Sequence, residues 1–272
     1  MSTTHTADGA AAGGTADGAA AAWRRVRALA RAELTLLVRN RTALFTALLM
    51  PFLMVFFMRS SVGEMNLGDT GLSVTGLVMT SGIAMVLIFV VYTNLIPTYV
   101  ARREELVLKR LRTGEVRDWE ILAGTALPAV VLAVAQCALL VAAGATLLDV
   151  APPERIDLLL AGVLLGVVLM ALTAAVTAVI TRTAESAQIT ALPLLLVSFV
   201  GSGVFVPLEV MPDGLADVLR ILPMTPVVDL VRYGWLGGGG SGDVLRALAV
   251  AVVWVAASVF AVRRWFRWEP RR

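Results

Sequence analysis

Arg102-Arg103-Glu104-Glu105-Leu106-Val107-Leu108-Lys109-Arg110-Leu111-Arg112-Thr113-Gly114-Glu115 is a charged stretch set between two long apolar runs. Each flanking run, residues 72–100 and 121–148, is longer than the about 20 apolar residues a helix needs to cross a bilayer core. The stretch is therefore a short connection held at a membrane face. Val107, Leu108 and Leu111 give it one apolar edge, while Lys109, Arg110 and Arg112 face elsewhere. That spacing predicts about two helical turns ended by Gly114. A cation-rich helix in this position is either a plain membrane anchor or a contact point for a soluble partner.

Working outward, four further apolar segments are candidates to span: residues 43–58, which carry Pro51, and residues 158–180, 189–208 and 244–262. Residues 219–231 are apolar but too short, and Pro223 and Pro226 break them. They read as a re-entrant or interfacial segment between the fifth and sixth spans. The expectation is an all-α polytopic membrane protein with six transmembrane helices. Composition agrees: the 272 residues are 58% hydrophobic and 16% charged, against about 25% charged in globular domains. A soluble chain this apolar would expose large sticky patches.

Sidedness follows from the basic residues. Of the 23 Lys and Arg, all but Arg59, Arg155, Arg220, Arg232 and Arg246 fall on one side when the six spans are threaded in order. That side is expected to be the cytoplasm, and it holds both termini and the charged stretch. Trp119, Trp235, Trp265 and Trp268 fall at span ends, as an interfacial belt places them. The net charge of +3 is explained by this clustering, so nucleic acid is not an expected partner. Membrane lipids are.

Residues 1–22 are rich in Ala, Gly, Thr and Asp and lack an apolar run, which predicts a disordered cytoplasmic tail and no signal peptide. Residues 23–40 differ. Trp23, Val26, Ala30, Leu34 and Leu37 share one helix face, and Arg24, Arg27 and Arg31 share another. This predicts an amphipathic helix lying in the interface. Residues 41–266 then form the six-helix domain, and 267–272 a short cytoplasmic tail.

Chemistry is sparse. The sequence has no G-x-x-x-x-G-K-[ST] loop to cradle phosphates, no G-x-S-x-G turn and no paired carboxylates. Its one histidine, His5, lies in the tail, and its one cysteine, Cys137, reads as a small buried hydrophobe. No catalytic, cofactor-binding or metal-binding residue is expected. The span interiors hold almost no ionisable residue, which disfavours an ion-coupled secondary carrier. A membrane enzyme or scaffold would need an ionisable or metal-binding cluster at one face, and the sequence shows none. The polar groups inside spans are mild: Thr80, Ser81, Thr93, Asn94, Thr173, Thr177, Ser198 and Ser202. Of these, Thr93, Asn94 and Ser198 are candidates to line a route. Gly162-Val163-Leu164-Leu165-Gly166 is a spacing that lets two helices approach closely. Pro51, Pro97 and Pro193 are expected to kink their helices.

The charged stretch resembles the coupling helix of ABC-2-type permeases, the membrane subunits of ATP-binding-cassette exporters. Many antibiotic and multidrug export permeases carry an acidic residue followed by Val-Leu-Lys-Arg-Leu-Arg. Here these are Glu105 and then Val107, Leu108, Lys109, Arg110, Leu111 and Arg112. A second match covers Pro193, Ser202-Gly203-Val204-Phe205-Val206-Pro207, Met211-Pro212 and the run Leu222-Pro223-Met224-Thr225-Pro226-Val227-Val228-Asp229-Leu230-Val231-Arg232. It is similar to the family's S-G-x-F-x-P…P and L-P-x-T-P-x-x-x-x-x-R patterns. Asp229 and Arg232, three residues apart on a helix, are placed to pair. The chain departs from many relatives at Leu106, where they have Gly, and at Thr113-Gly114, where they have Thr-Pro.

The resemblance spans residues 23–266. It implies a permease subunit, working as a homodimer with two ABC ATPase subunits that bind ATP and Mg. It would sit in a bacterial cytoplasmic membrane and move a small hydrophobic or amphipathic compound, such as a drug or antibiotic, outward. Export of a cell-envelope polysaccharide or lipid is the alternative. It further implies that Glu105 and Val107–Arg112 dock on the ATPase. Ser202, Gly203, Phe205, Pro207, Pro212, Pro223, Asp229 and Arg232 would form an extracellular fold-back.

Overall fold

A computed structural model describes residues 31, 35, 49, 53, 74–107, 117–147, 151–204, 208 and 211–266. Among these, every regular element is a helix. The apolar runs form long helices because in lipid each backbone polar group must be paired within its own segment. The first is continuous through α1 (Val74–Val86), a π-helical turn (Leu87–Thr93) and α2 (Asn94–Glu104). Next come α3 (Asp118–Leu147), α4 (Ile156–Ile180) and α5 (Ala187–Gly201). Two short helices, α6 (Asp213–Leu219) and α7 (Thr225–Leu236), precede the final α8 (Ser241–Trp265).

Four described helices are long and apolar enough to cross a membrane: Gly76–Glu104, Asp118–Thr146, Ile156–Ile180 and Ser241–Trp265. These correspond to the second, third, fourth and sixth expected spans. The first, residues 43–58, lies outside the described residues, as does the amphipathic segment apart from Arg31 and Thr35. The fifth is shorter than its apolar run of residues 189–208 predicts. Helix α5 has 15 residues and stops at Gly201, because the chain turns at Ser202 and takes a left-handed conformation at Gly203 (φ +71°).

The span Gly76–Glu104 is the centre of the described bundle and is almost wholly buried within it. By contrast, α4 turns Ile156, Leu160, Leu164 and Val168 outward, one residue per turn, each 47–61% exposed. In α8, Leu245, Val252, Val253 and Phe260 are likewise exposed. Stripes of this size suit lipid rather than water. Trp119 and Trp265 are exposed at helix ends, whereas Trp235 is buried. Trp235 sits on a short inner helix and so belongs to the core rather than to the interfacial belt.

Pro97 lies in the first turn of α2, directly after the π turn. Proline has no N–H to offer the preceding turn, and a widened turn sits just before it. The hydroxyls of Thr93 and Thr98 donate to the carbonyls of Phe89 and Asn94, and the Asn94 amide donates to Val90 O. Side chains thus take up backbone acceptors where the helix is irregular.

Glycine sets how closely α4 and α7 approach. A Cβ on Gly162 would meet Val231, and one on Gly166 would meet Val227 and Leu87 of the π turn, at 2.6–3.0 Å. A Cβ on Gly234 would fall on the backbone of Leu159, 2.7 Å from its Cα. Residue numbers fall along α7 as they rise along α4, so the two run antiparallel. The Gly162…Gly166 spacing therefore serves contacts within the chain.

Of the two short helices α7 is buried in the bundle, whereas α6 exposes Leu215 and Val218. The indole N–H of Trp254 donates to Ile221 O at 2.7 Å. Trp254 lies half-way along the 25-residue α8, about 20 Å from its start at 1.5 Å per residue. The turn between α6 and α7 therefore lies level with the middle of α8. From there α7 climbs back, and Arg155 N donates to Gly234 O at 2.9 Å where α4 begins.

Candidate functional site

The charged turn grows out of the central span. Helix α2 ends with Glu105 N donating to Ala101 O and Leu106 N donating to Arg103 O. Leu106 has φ +59°, the left-handed conformation that commonly closes a helix and favours glycine. This is the position where many relatives of the resembled family carry Gly. Glu105 and Leu106 are exposed and Val107 is half-buried. Leu108, Lys109, Arg110, Leu111 and Arg112 lie outside the described residues.

Immediately before the turn, α2 buries a different face. Ile96, Tyr99, Val100 and Arg103 follow a three-four spacing, and all four are at most 2% exposed. The Arg103 guanidinium reaches the end of α4. Its Nη1 donates to Ala178 O at 2.9 Å, and its Nη2 donates to Thr181 O at 2.7 Å and Arg182 O at 3.2 Å. The last carbonyls of a helix have no partner inside it and carry its negative dipole end, so a cation there is doubly suited. One turn back, the Tyr99 hydroxyl donates to Leu122 O of α3 at 3.2 Å, and its ring meets Phe266 edge-on, just past α8. Glu120, at the start of α3, is fully buried and lies in the first helical turn, where a carboxylate suits the dipole. Four spans thus converge within two helical turns of the Glu105–Val107 segment.

The second group of predicted residues lies at the interrupted fifth segment. Ser202 is buried, and Gly203 O accepts from Nη2 of the buried Arg232 at 2.8 Å. The next carbonyl, Val204 O, accepts from the Ser81 hydroxyl of α1. A cation and a hydroxyl from two other helices therefore satisfy the backbone that the turn leaves unpaired. Pro223 is buried at the α6–α7 turn, Pro212 is exposed before α6, and Asp229 is half-buried on α7. Phe205 and Pro207 lie outside the described residues.

The three route candidates have different surroundings. Thr93 and Ser198 are buried, whereas Asn94 is exposed on a span otherwise enclosed by protein. Thr98 follows one turn later, partly exposed.

Sequence reasoning passed over Gly234 and Trp254, and it named Arg103 and Ser81 without finding their partners. Arg103 had a readable signal, since it continues the buried stripe of Ile96, Tyr99 and Val100. The other three owe their roles to partners far away in the chain. Among the described residues no group of His, Cys, Asp and Glu is arranged to hold a metal.

These features define a multi-pass helical membrane protein with a core-connected charged turn and a short helix, α7, seated against α4. The family model described as ABC-2 type transporter matches residues 24–236. The chain belongs to that family of transport permeases, whose members work with an ABC ATPase. No significant match was found among curated proteins.

Proposed function

We propose that this chain is the permease subunit of an ATP-driven exporter that moves a hydrophobic or amphipathic compound out across the cytoplasmic membrane. Power comes from a separate ATPase, because the sequence holds no phosphate-cradling loop. The observation that carries the reading is the placement of the charged turn. Among the described spans it caps the one most enclosed by protein, so a displacement there enters the core of the bundle.

The distribution of arginines puts the turn and both termini in the cytoplasm. The α6–α7 hairpin then enters from the outside. Glu105 and Val107–Arg112 dock on the ATPase, aided by the amphipathic segment 23–40. Six spans per permease, two permeases as a homodimer and two ATPases complete the machine. Asn94 and Thr98 line the route between the permeases, since an exposed amide at mid-span has no place against lipid. Uncharged span interiors suit an uncharged or amphipathic cargo.

The test is transport. Co-expressed with its cognate ABC ATPase, the chain should accumulate rhodamine 6G in inside-out vesicles when ATP is added. Absence of ATP-dependent accumulation, together with appearance of cell-surface polysaccharide that requires this chain, would replace the drug-export reading with envelope export.

A further inference from the structure

We infer that Arg103 is a positioning residue that makes the end of α4 move with the coupling turn. The inference rests on the permease reading above. Arg103 lies two residues before Glu105, yet its side chain belongs to the other side of the connection. The guanidinium is 1% exposed and holds three carbonyls at the end of α4: Ala178, Thr181 and Arg182. A push on the turn already reaches α2 through the covalent chain. The Arg103 fork adds a polar tie at the very end of α4, a helix that otherwise meets the central span through packing and the Tyr92–Thr177 hydroxyl bond.

The three acceptors explain why the residue is arginine. Their directions diverge, and a planar fork with five donors can meet them together. A lysine carries the same charge at one point and cannot span the same set. The bonds are charge-assisted and dry, which makes them stiff and costly to leave unmade.

What α4 does with that motion is written in its other contacts. Gly162 and Gly166 seat α7 and the π turn, and Leu159 seats Gly234. Helix α7 in turn carries Arg232, which holds the turn after α5. The sequence of contacts runs from the turn through Arg103 to α4, then to α7 and the interrupted backbone at Gly203. Packed helices shift as units rather than deform continuously.

The experiment is hydrogen–deuterium exchange on the whole complex of chain and ATPase, nucleotide-free and trapped with ATP and vanadate. It needs no knowledge of the cargo. In the wild type, trapping should change protection in peptides covering residues 94–107 and 176–186 together. In Arg103→Lys, the change at 94–107 should persist and that at 176–186 should fall by at least about fivefold, the lower range of measured site-to-site coupling. A merely structural role would alter protection at 176–186 equally in both nucleotide states and leave the difference intact.

The assignment is overturned if Arg103→Lys keeps the full difference at 176–186. It is also overturned if the wild type responds at 94–107 alone, an outcome that decides the matter even if the variant cannot be purified. If the wild type responds in neither segment, the permease reading itself fails.

Discussion

Two buried arginines hold backbone carbonyls, and they do it for different reasons. Arg103 closes the end of an uninterrupted helix, α4, beside the charged turn. Arg232 closes a break, the turn after α5, inside the bundle. At Arg103 the helix would form without help, so the bond is free to serve as a link between two helices. At Arg232 the backbone has no alternative partner in lipid, so the bond is a condition of the fold. The difference separates a region built to transmit from a region built to let the chain turn back.

The largest effects are expected where the fold has no slack. Gly234→Leu would drive a side chain into the Leu159 backbone and force α7 off α4. Overpacking of this kind costs about 1–3 kcal/mol or more, and the protein should lose its monodisperse peak in detergent chromatography. Survival of that peak at wild-type yield would break the claim that α7 is seated on α4.

Arg232→Met should come next. It removes the donor to Gly203 O and leaves a buried acceptor unpaired, a loss of about 1–3 kcal/mol. The melting temperature should fall clearly, while Arg103→Lys should lower it less. Equal falls would erase the distinction between the two arginines.

Trp254→Phe should cost about 1 kcal/mol by removing one hydrogen bond to Ile221. The sharper readout is depth. A spin label at Leu222→Cys should be shielded from water-soluble relaxation agents, as mid-membrane sites are. Ready access by such agents would place the α6–α7 turn at the surface.

The smallest effect has the opposite sign. Leu106→Gly should stabilise the protein, by up to about 1 kcal/mol, because a left-handed Leu is strained. Added glycine freedom in the unfolded chain offsets part of this gain. A fall in melting temperature would mean that the Leu106 side chain contributes packing that outweighs its backbone strain.

The long helices were legible because apolar length is the dominant signal in lipid. Residues 74–104, 118–147, 156–180 and 241–265 match their apolar runs closely. The end of α5 was not, since the sequence stays apolar for several residues beyond Gly201. What stops the helix is tertiary: carbonyls of Gly203 and Val204 are claimed by Arg232 and Ser81. Residues 219–231 are divided by a turn into the end of α6 and most of α7, and the bond from Trp254 to Ile221 O follows from no local pattern.

At the charged turn, charge drew attention to Arg103 without revealing its direction. The three-four spacing with Ile96, Tyr99 and Val100 held that information. Leu106 was visible as a departure from its relatives, and its left-handed backbone gives the physical reason glycine is common there.

The central claim is that the segment after Glu105 receives the ATPase. Charge reversal by Lys109→Glu with Arg110→Glu tests it most directly, read by co-purification of the cognate ABC ATPase from solubilised membranes. The account predicts a chain that inserts and purifies normally but no longer retains the ATPase and no longer moves rhodamine 6G. Retention of the ATPase at wild-type stoichiometry with transport intact would contradict it.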